Sequence, residues 1–144
     1  LHAAPGFRRR CPDVAVDADL GDAAGPDWAD DLDQVVVAGN AITTEVVFFH
    51  RQSRTVLFTD LIQQFDPGWF TGWRAIVARL DRLTGPEAAV PRKFRVAFTD
   101  RRVAREAIRR VMAWPAEKVL MAHGAPVLED GAAVIRRAFG WLKV

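Results

Sequence analysis

Two runs of β-branched and aromatic residues stand four residues apart in this chain: Glu45-Val-Val-Phe-Phe-His50 and Thr55-Val-Leu-Phe-Thr-Asp60, joined by Arg51-Gln-Ser-Arg54. Residues of this kind fit a half-buried pleated surface. A connection this short permits only an antiparallel return, so the segment reads as a β-hairpin. If Gln52-Ser53 is the turn, residue 51 faces 54, 50 faces 55 and 45 faces 60. Neither turn residue favours positive φ, which leaves a longer loop as the alternative. In the two-residue register Glu45 lies opposite Asp60 on one sheet face, with Cβ atoms roughly 5 Å apart. His50 and Asp60 then sit at opposite ends of the strands, roughly 17 Å apart at ~3.3 Å per residue. His50 is therefore assigned a structural role across the turn.

The flanking sequence places helices around this hairpin. Turn formers punctuate the first third (Pro5-Gly6, Cys11-Pro12, Gly21-Asp22, Gly25-Pro26-Asp27). Short strands are expected at Val14–Val16 and at Val35–Ala38. Beyond the aromatic loop Phe65–Phe70, Trp73, Ile76, Val77, Leu80 and Leu83 recur at helical spacing, predicting a helix over 72–83 that buries them. A strand is expected at Phe94–Phe98. Thr99 or Asp100 then caps a helix running through Trp114, and Pro115 ends it. A strand at Lys118–Met121 leads to His123, and a last helix from Gly131 to Leu142 buries Val134, Ile135, Ala138, Phe139 and Leu142. The implied class is α+β: a mixed sheet with a central hairpin and covering helices.

A chain of 144 residues, half of them hydrophobic, is long enough for one domain with a real core. No apolar run approaches the ~18 residues of a membrane span. The opening Leu1-His-Ala-Ala-Pro-Gly-Phe lacks the layout of a signal peptide and is read as a cut into a longer protein. The single cysteine, Cys11, rules out an intramolecular disulfide and points to a reducing, cytoplasmic setting; a structural role is assigned to it. The net charge of +2 conceals an asymmetry, with nine acidic residues and no Lys or Arg between Pro12 and His50. Between Arg74 and Arg110, eleven basic residues face four acidic ones. The expected consequence is an electrostatic match between the halves, a partner surface, or both. Arg101, Arg102, Arg105 and Arg109 form a stripe that can track phosphates. No aromatic platform accompanies it, so a solvated helix face is favoured over a nucleic-acid surface.

Candidate chemistry rests on two strand ends. Thr55–Asp60 and Val119-Leu-Met-Ala-His123-Gly124 each end an apolar run in a side chain able to ligate a metal. A carboxylate at such a place requires a metal, an arginine or backbone N–H groups to offset its desolvation. Read alone, Asp60 is a cap or ion-pair partner, and Phe98-Thr-Asp100 echoes Phe58-Thr-Asp60 as a plain helix start. Gly124 lets the chain turn sharply behind His123, leaving the imidazole to face a cleft. Glu45, facing Asp60, can share a proton, help hold a hard cation or be bridged by a base.

Together these segments resemble the late motifs of the metallo-β-lactamase fold superfamily, in which one strand ends in a metal-bridging Asp and a later one in His-Gly. The string Phe-Phe-His-Arg-Gln-Ser-Arg-Thr, then Thr-Asp, Trp and Ala-His-Gly, is similar to a degenerate, poorly characterised branch of it. The resemblance runs from about Val35 to Val144. It implies the C-terminal portion of an αββα sandwich, either as a single domain or as a fragment of one. It further implies a metal-dependent hydrolase remnant with Asp60 and His123 as metal ligands and water as nucleophile. The alternative is a non-catalytic binding or interaction domain of the same fold. Where the family offers Gly-His, this chain has Gly39-Asn40, and Asn40 is a weaker ligand than imidazole. The family's first His- and Asp-rich motif would lie upstream of Leu1. Zinc or another divalent metal is thus expected to bind weakly or not at all. The partner is expected to be a second copy or the missing N-terminal segment, with no membrane and no nucleic acid.

Overall fold

The β-hairpin is the centre of a four-stranded sheet. The computed structural model describes residues 1–144. Its elements, in chain order, are β1 (His2–Ala3), α1 (Phe7–Arg10), β2 (Ala18–Asp19), β3 (Leu32–Val37), β4 (Glu45–His50), β5 (Thr55–Phe58), α2 (Trp73–Leu80), α3 (Arg92–Ala97), α4 (Arg101–Met112), β6 (Lys118–Met121) and α5 (Gly131–Phe139). A 3₁₀ turn over Gly140–Leu142 extends α5. The main sheet runs β3-β4-β5-β6, antiparallel except for the parallel β5–β6 pair, and β1 and β2 form a separate parallel ladder. The fold is mixed α+β, and no helix is long and apolar enough to cross a membrane.

The hairpin register is the expected one, with His50 opposite Thr55 and Phe49 opposite Val56. The Arg54 N–H donates to the Arg51 carbonyl at 3.3 Å, closing the turn over Gln52-Ser53. Positive φ falls on Arg54 instead of a turn residue. Ser53 Oγ lies 2.7 Å from both His50 Nδ1 and Thr55 Oγ1, so His50 holds the turn, as its far-end position requires.

Strand alternation places Val35, Val37, Val47, Phe49, Val56, Phe58, Val119 and Met121 on one face. All are buried against Ala104, Ala107, Ile108 and Val111 of α4 and Val134, Ile135, Ala138 and Phe139 of α5. Helix α4 lies against β3 and α5 against β6. The opposite face is less covered: Val36, Phe48 and Leu57 are half-buried and Leu120 is exposed. Asp100 caps α4, its carboxylate accepting from the N–H groups of Arg102 and Val103 at 3.1 Å.

Three expectations fail. The segment Phe94–Phe98 is not a strand; Arg92–Ala97 is helix α3. Phe94 and Phe98 are buried while Val96 between them is 81% exposed, so burial follows an i, i+4 spacing and not the alternation of a strand. The extended pair near the N-terminus is Ala18–Asp19 instead of Val14–Val16, although Val16 is buried. Helix α2 stops at Leu80 and presents Trp73, Ile76, Val77 and Leu80 to solvent, only Ala78 being buried. Its small-residue side faces the domain, because the return of the chain (Leu83 N–H to the Ala78 carbonyl, 2.8 Å) draws that side inward.

Candidate functional site

The parallel β5–β6 register aligns Phe58 with Met121, and two residues further it brings Asp60 beside His123. The side chains meet: His123 Nε2 lies 3.0 Å from Asp60 Oδ1, each residue a little over two-fifths exposed at the side chain. With the proton on Nε2 the ring donates to the carboxylate, and Nδ1 remains a base. Phe65 stacks on the imidazole, ring centroids 5.8 Å apart and planes 22° from parallel. The ring is thus held on its edge by a carboxylate and on its face by an aromatic.

Backbone contacts fix both residues. The Gln64 N–H donates to the His123 carbonyl at 2.8 Å, and Gln63 Nε2 donates to the Asp60 carbonyl at 2.9 Å. Gly124 has φ +156°, and a Cβ there would stand 2.6 Å from the Gln64 carbonyl oxygen. Only glycine admits so close an approach of the two chain segments.

Glu45 comes to the expected place beside Asp60, and its partners there are backbone groups. It is 2% exposed, and its carboxylate accepts three backbone N–H bonds, from Thr59 (2.7 Å), Asp60 (3.0 Å) and Leu61 (2.7 Å). Burial pushes its carboxyl up from the ordinary value. The three N–H donors pull it down, and the neighbouring Asp60 charge adds to the rise. Its oxygens are occupied in holding the strand end from which Asp60 projects, which makes it a positioning residue.

Asn40 is equally engaged. Its Nδ2 donates to the Phe94 carbonyl at 2.9 Å, and its Oδ1 accepts from Ile42 N–H at 2.9 Å and Thr43 N–H at 3.3 Å. The side chain organises the turn before β4 and ties it to α3. His2 packs edge-on against Trp28, away from these groups, and Cys11 is a half-buried free thiol.

A cleft of about 460 Å³ opens at the Asp60–His123 pair. Ile42, Phe65, Phe70, Leu83 and Phe94 form apolar wall, and Arg10 from α1 and Lys93 from α3 supply cations. Sequence reasoning missed both cations. Lys93 lay within a segment next to a misread strand, and nothing in the spacing connects Arg10 with residues fifty and more positions away.

The donor set decides what metal chemistry this chain supports by itself. Asp60 and His123 are the two metal-capable side chains that converge, and no group of three or more His, Cys, Asp or Glu comes together. Protein zinc sites use three or four such ligands, so the residues present do not fit a zinc centre held by this chain alone. The arginine stripe is largely engaged within the molecule. Arg105 donates to the Leu142 carbonyl, Arg109 pairs with Glu106, and Arg101 lies over Trp141. Acidic residues of the first third pair with Arg110 (Asp22), Arg51 (Asp33) and Arg8 (Asp19). The chain matches no protein-family model and no curated protein.

Proposed function

We propose that the chain is the C-terminal part of a metallo-β-lactamase-like αββα domain. In this reading the Asp60–His123 cleft is a degenerate hydrolase-type site. The observation that supports it is the contact between the ends of β5 and β6, where a carboxylate and an imidazole from residues 63 positions apart meet at 3.0 Å. Each ends an apolar strand, the placement that the superfamily's late motifs have.

The chemistry assigned to this chain is proton handling. Asp60 orients the imidazole through the contact at Nε2, so that Nδ1 is able to take a proton from water or a substrate hydroxyl. A divalent metal would find two protein ligands here, and no step is assigned to it. Zinc calorimetry on the chain, with Asp60→Ala and His123→Ala as controls, tests the ligand count. The expected result is weak binding lost in both variants. Stoichiometric binding at nanomolar affinity would instead identify a complete metallohydrolase centre. Ester hydrolysis assayed with Asp60→Asn and His123→Gln tests the proton-handling role, since both variants should lose turnover.

A second reading, a non-catalytic binding domain of the same fold, is favoured by the engagement of Glu45 and Asn40. Both sit near the cleft, and the hydrogen bonds of each serve the backbone. Retention of ligand binding with no turnover under any condition would select it.

A further inference from the structure

The cleft beside Asp60 and His123 carries an imbalance of charge that its polar pair does not explain. Arg10 and Lys93 reach its rim from separate elements, and Asp60 is the one carboxylate lining it. Asp60 is already hydrogen-bonded to His123. Neither Arg10 nor Lys93 forms an ion pair, although seven ion pairs occur elsewhere in the molecule. The Arg10 guanidinium donates one long bond, 3.3 Å, to the Ile42 carbonyl, and Lys93 Nζ lies over the Phe94 ring at 5.0 Å. Both cations thus keep most of their donors free.

The surroundings sharpen this bias. Next to Lys93, Arg95 is held below the usual guanidinium range by burial and by the charges of Arg82 and Arg92, partly offset by Asp81, whose carboxylate accepts the Lys93 backbone N–H at 2.7 Å. Crowded positive charge with low-dielectric walls raises the local concentration of anions. The remaining lining is largely apolar, with Phe65, Phe70 and Phe94 among its side chains. A volume of about 460 Å³ lies within the range of small-molecule sites, which combine an apolar body with a few convergent polar groups.

We propose that this cleft binds a small organic anion, a compact apolar or aromatic body bearing a phosphate or carboxylate that Arg10 and Lys93 grip. The inference rests on the preceding reading for the reacting pair and extends it to the class of substrate. Arginine provides a planar fork for either headgroup, and lysine a point charge. The aromatic wall accepts the apolar body, which places the bond next to the headgroup near His123.

Calorimetry with phenyl phosphate and benzoate as anionic probes and benzyl alcohol as the neutral one tests the proposal. The anions should bind saturably and more weakly as salt is raised, with no measurable binding of benzyl alcohol. Arg10→Gln and Lys93→Gln, both at exposed positions and therefore expected to fold, should each weaken anion binding by about tenfold, the effect of losing one charge-assisted bond. Equal binding of the neutral probe, wild-type anion affinity in the double variant, or no anion binding by wild type would each overturn the proposal. Asp60→Asn and His123→Gln separate it from the reading on which it rests. Anion binding retained by these variants, with no turnover in wild type, refutes the hydrolase-type site and leaves the anion cleft standing.

Discussion

Glu45 offers the most direct test of how the site is held. Its carboxylate is the acceptor for three successive backbone N–H groups, at 2.7, 3.0 and 2.7 Å. Glu45→Ala removes that acceptor and leaves a void. Thr59 is exposed, so water replaces the bond to its N–H, whereas Leu61 is fully buried and Asp60 partly so. One or two stranded donors at about 1–3 kcal/mol each give a loss of about 3 kcal/mol. For a chain of this size that corresponds to a fall of about 10 °C in Tm. Glu45→Gln keeps one carbonyl acceptor but turns an NH₂ toward an N–H, so about 1–2 kcal/mol is expected. Urea titration measures both losses, and the His123 ring resonances report whether the Asp60 contact survives. A cost below about 1 kcal/mol for Glu45→Ala, with those resonances unmoved, would refute the claim that Glu45 positions Asp60. The sign of the pH dependence also follows. A buried acid whose folded pKa is raised above its ordinary 4.5 binds its proton more tightly when folded. Its stabilising contribution is therefore complete below that value and fades as pH rises through the folded pKa. Stability measured against pH should show the wild type gaining on Glu45→Gln as the pH falls from neutrality.

Gly124→Ala should separate the ends of β5 and β6, since its Cβ meets the Gln64 carbonyl oxygen at 2.6 Å. Loss of the Phe65-stacked environment of His123, read from its ring resonances, checks this. Asp100→Ala removes the acceptor for Arg102 and Val103 N–H groups and should cost about 1 kcal/mol by denaturant titration, with α4 otherwise intact. The double variant Ile76→Lys/Leu80→Gln alters side chains 63% and 59% exposed, so stability should change by no more than about 0.5 kcal/mol. Sedimentation velocity should show less self-association than in wild type, because Trp73 and Val77 extend the same exposed apolar helix face.

Local pattern was enough for the hairpin, its register, the capped helix α4, strand β6 and the closing helix, because each is specified by short-range periodicity and end signals. The 50-to-55 pairing followed from counting across one turn, and it put Glu45 beside Asp60 before any tertiary contact was known. The partners of Glu45 were not legible, since a carboxylate opposite a strand end can face another side chain or the N–H groups of the chain as it bends. The partners of Asn40 were not legible for the same reason: a short polar side chain next to a turn bonds the nearby backbone readily. The apolar stripe of α2 and the alternation at Phe94–Phe98 show the other limit. Periodicity states which residues share a face, while only packing decides whether that face meets the core, and a five-residue apolar segment fits two periods. The cleft is wholly a tertiary product. Arg10, Lys93, Asp60 and His123 come from four separate parts of the chain, and it is the parallel β5–β6 pairing, with α1 and α3 folded over its end, that brings them together.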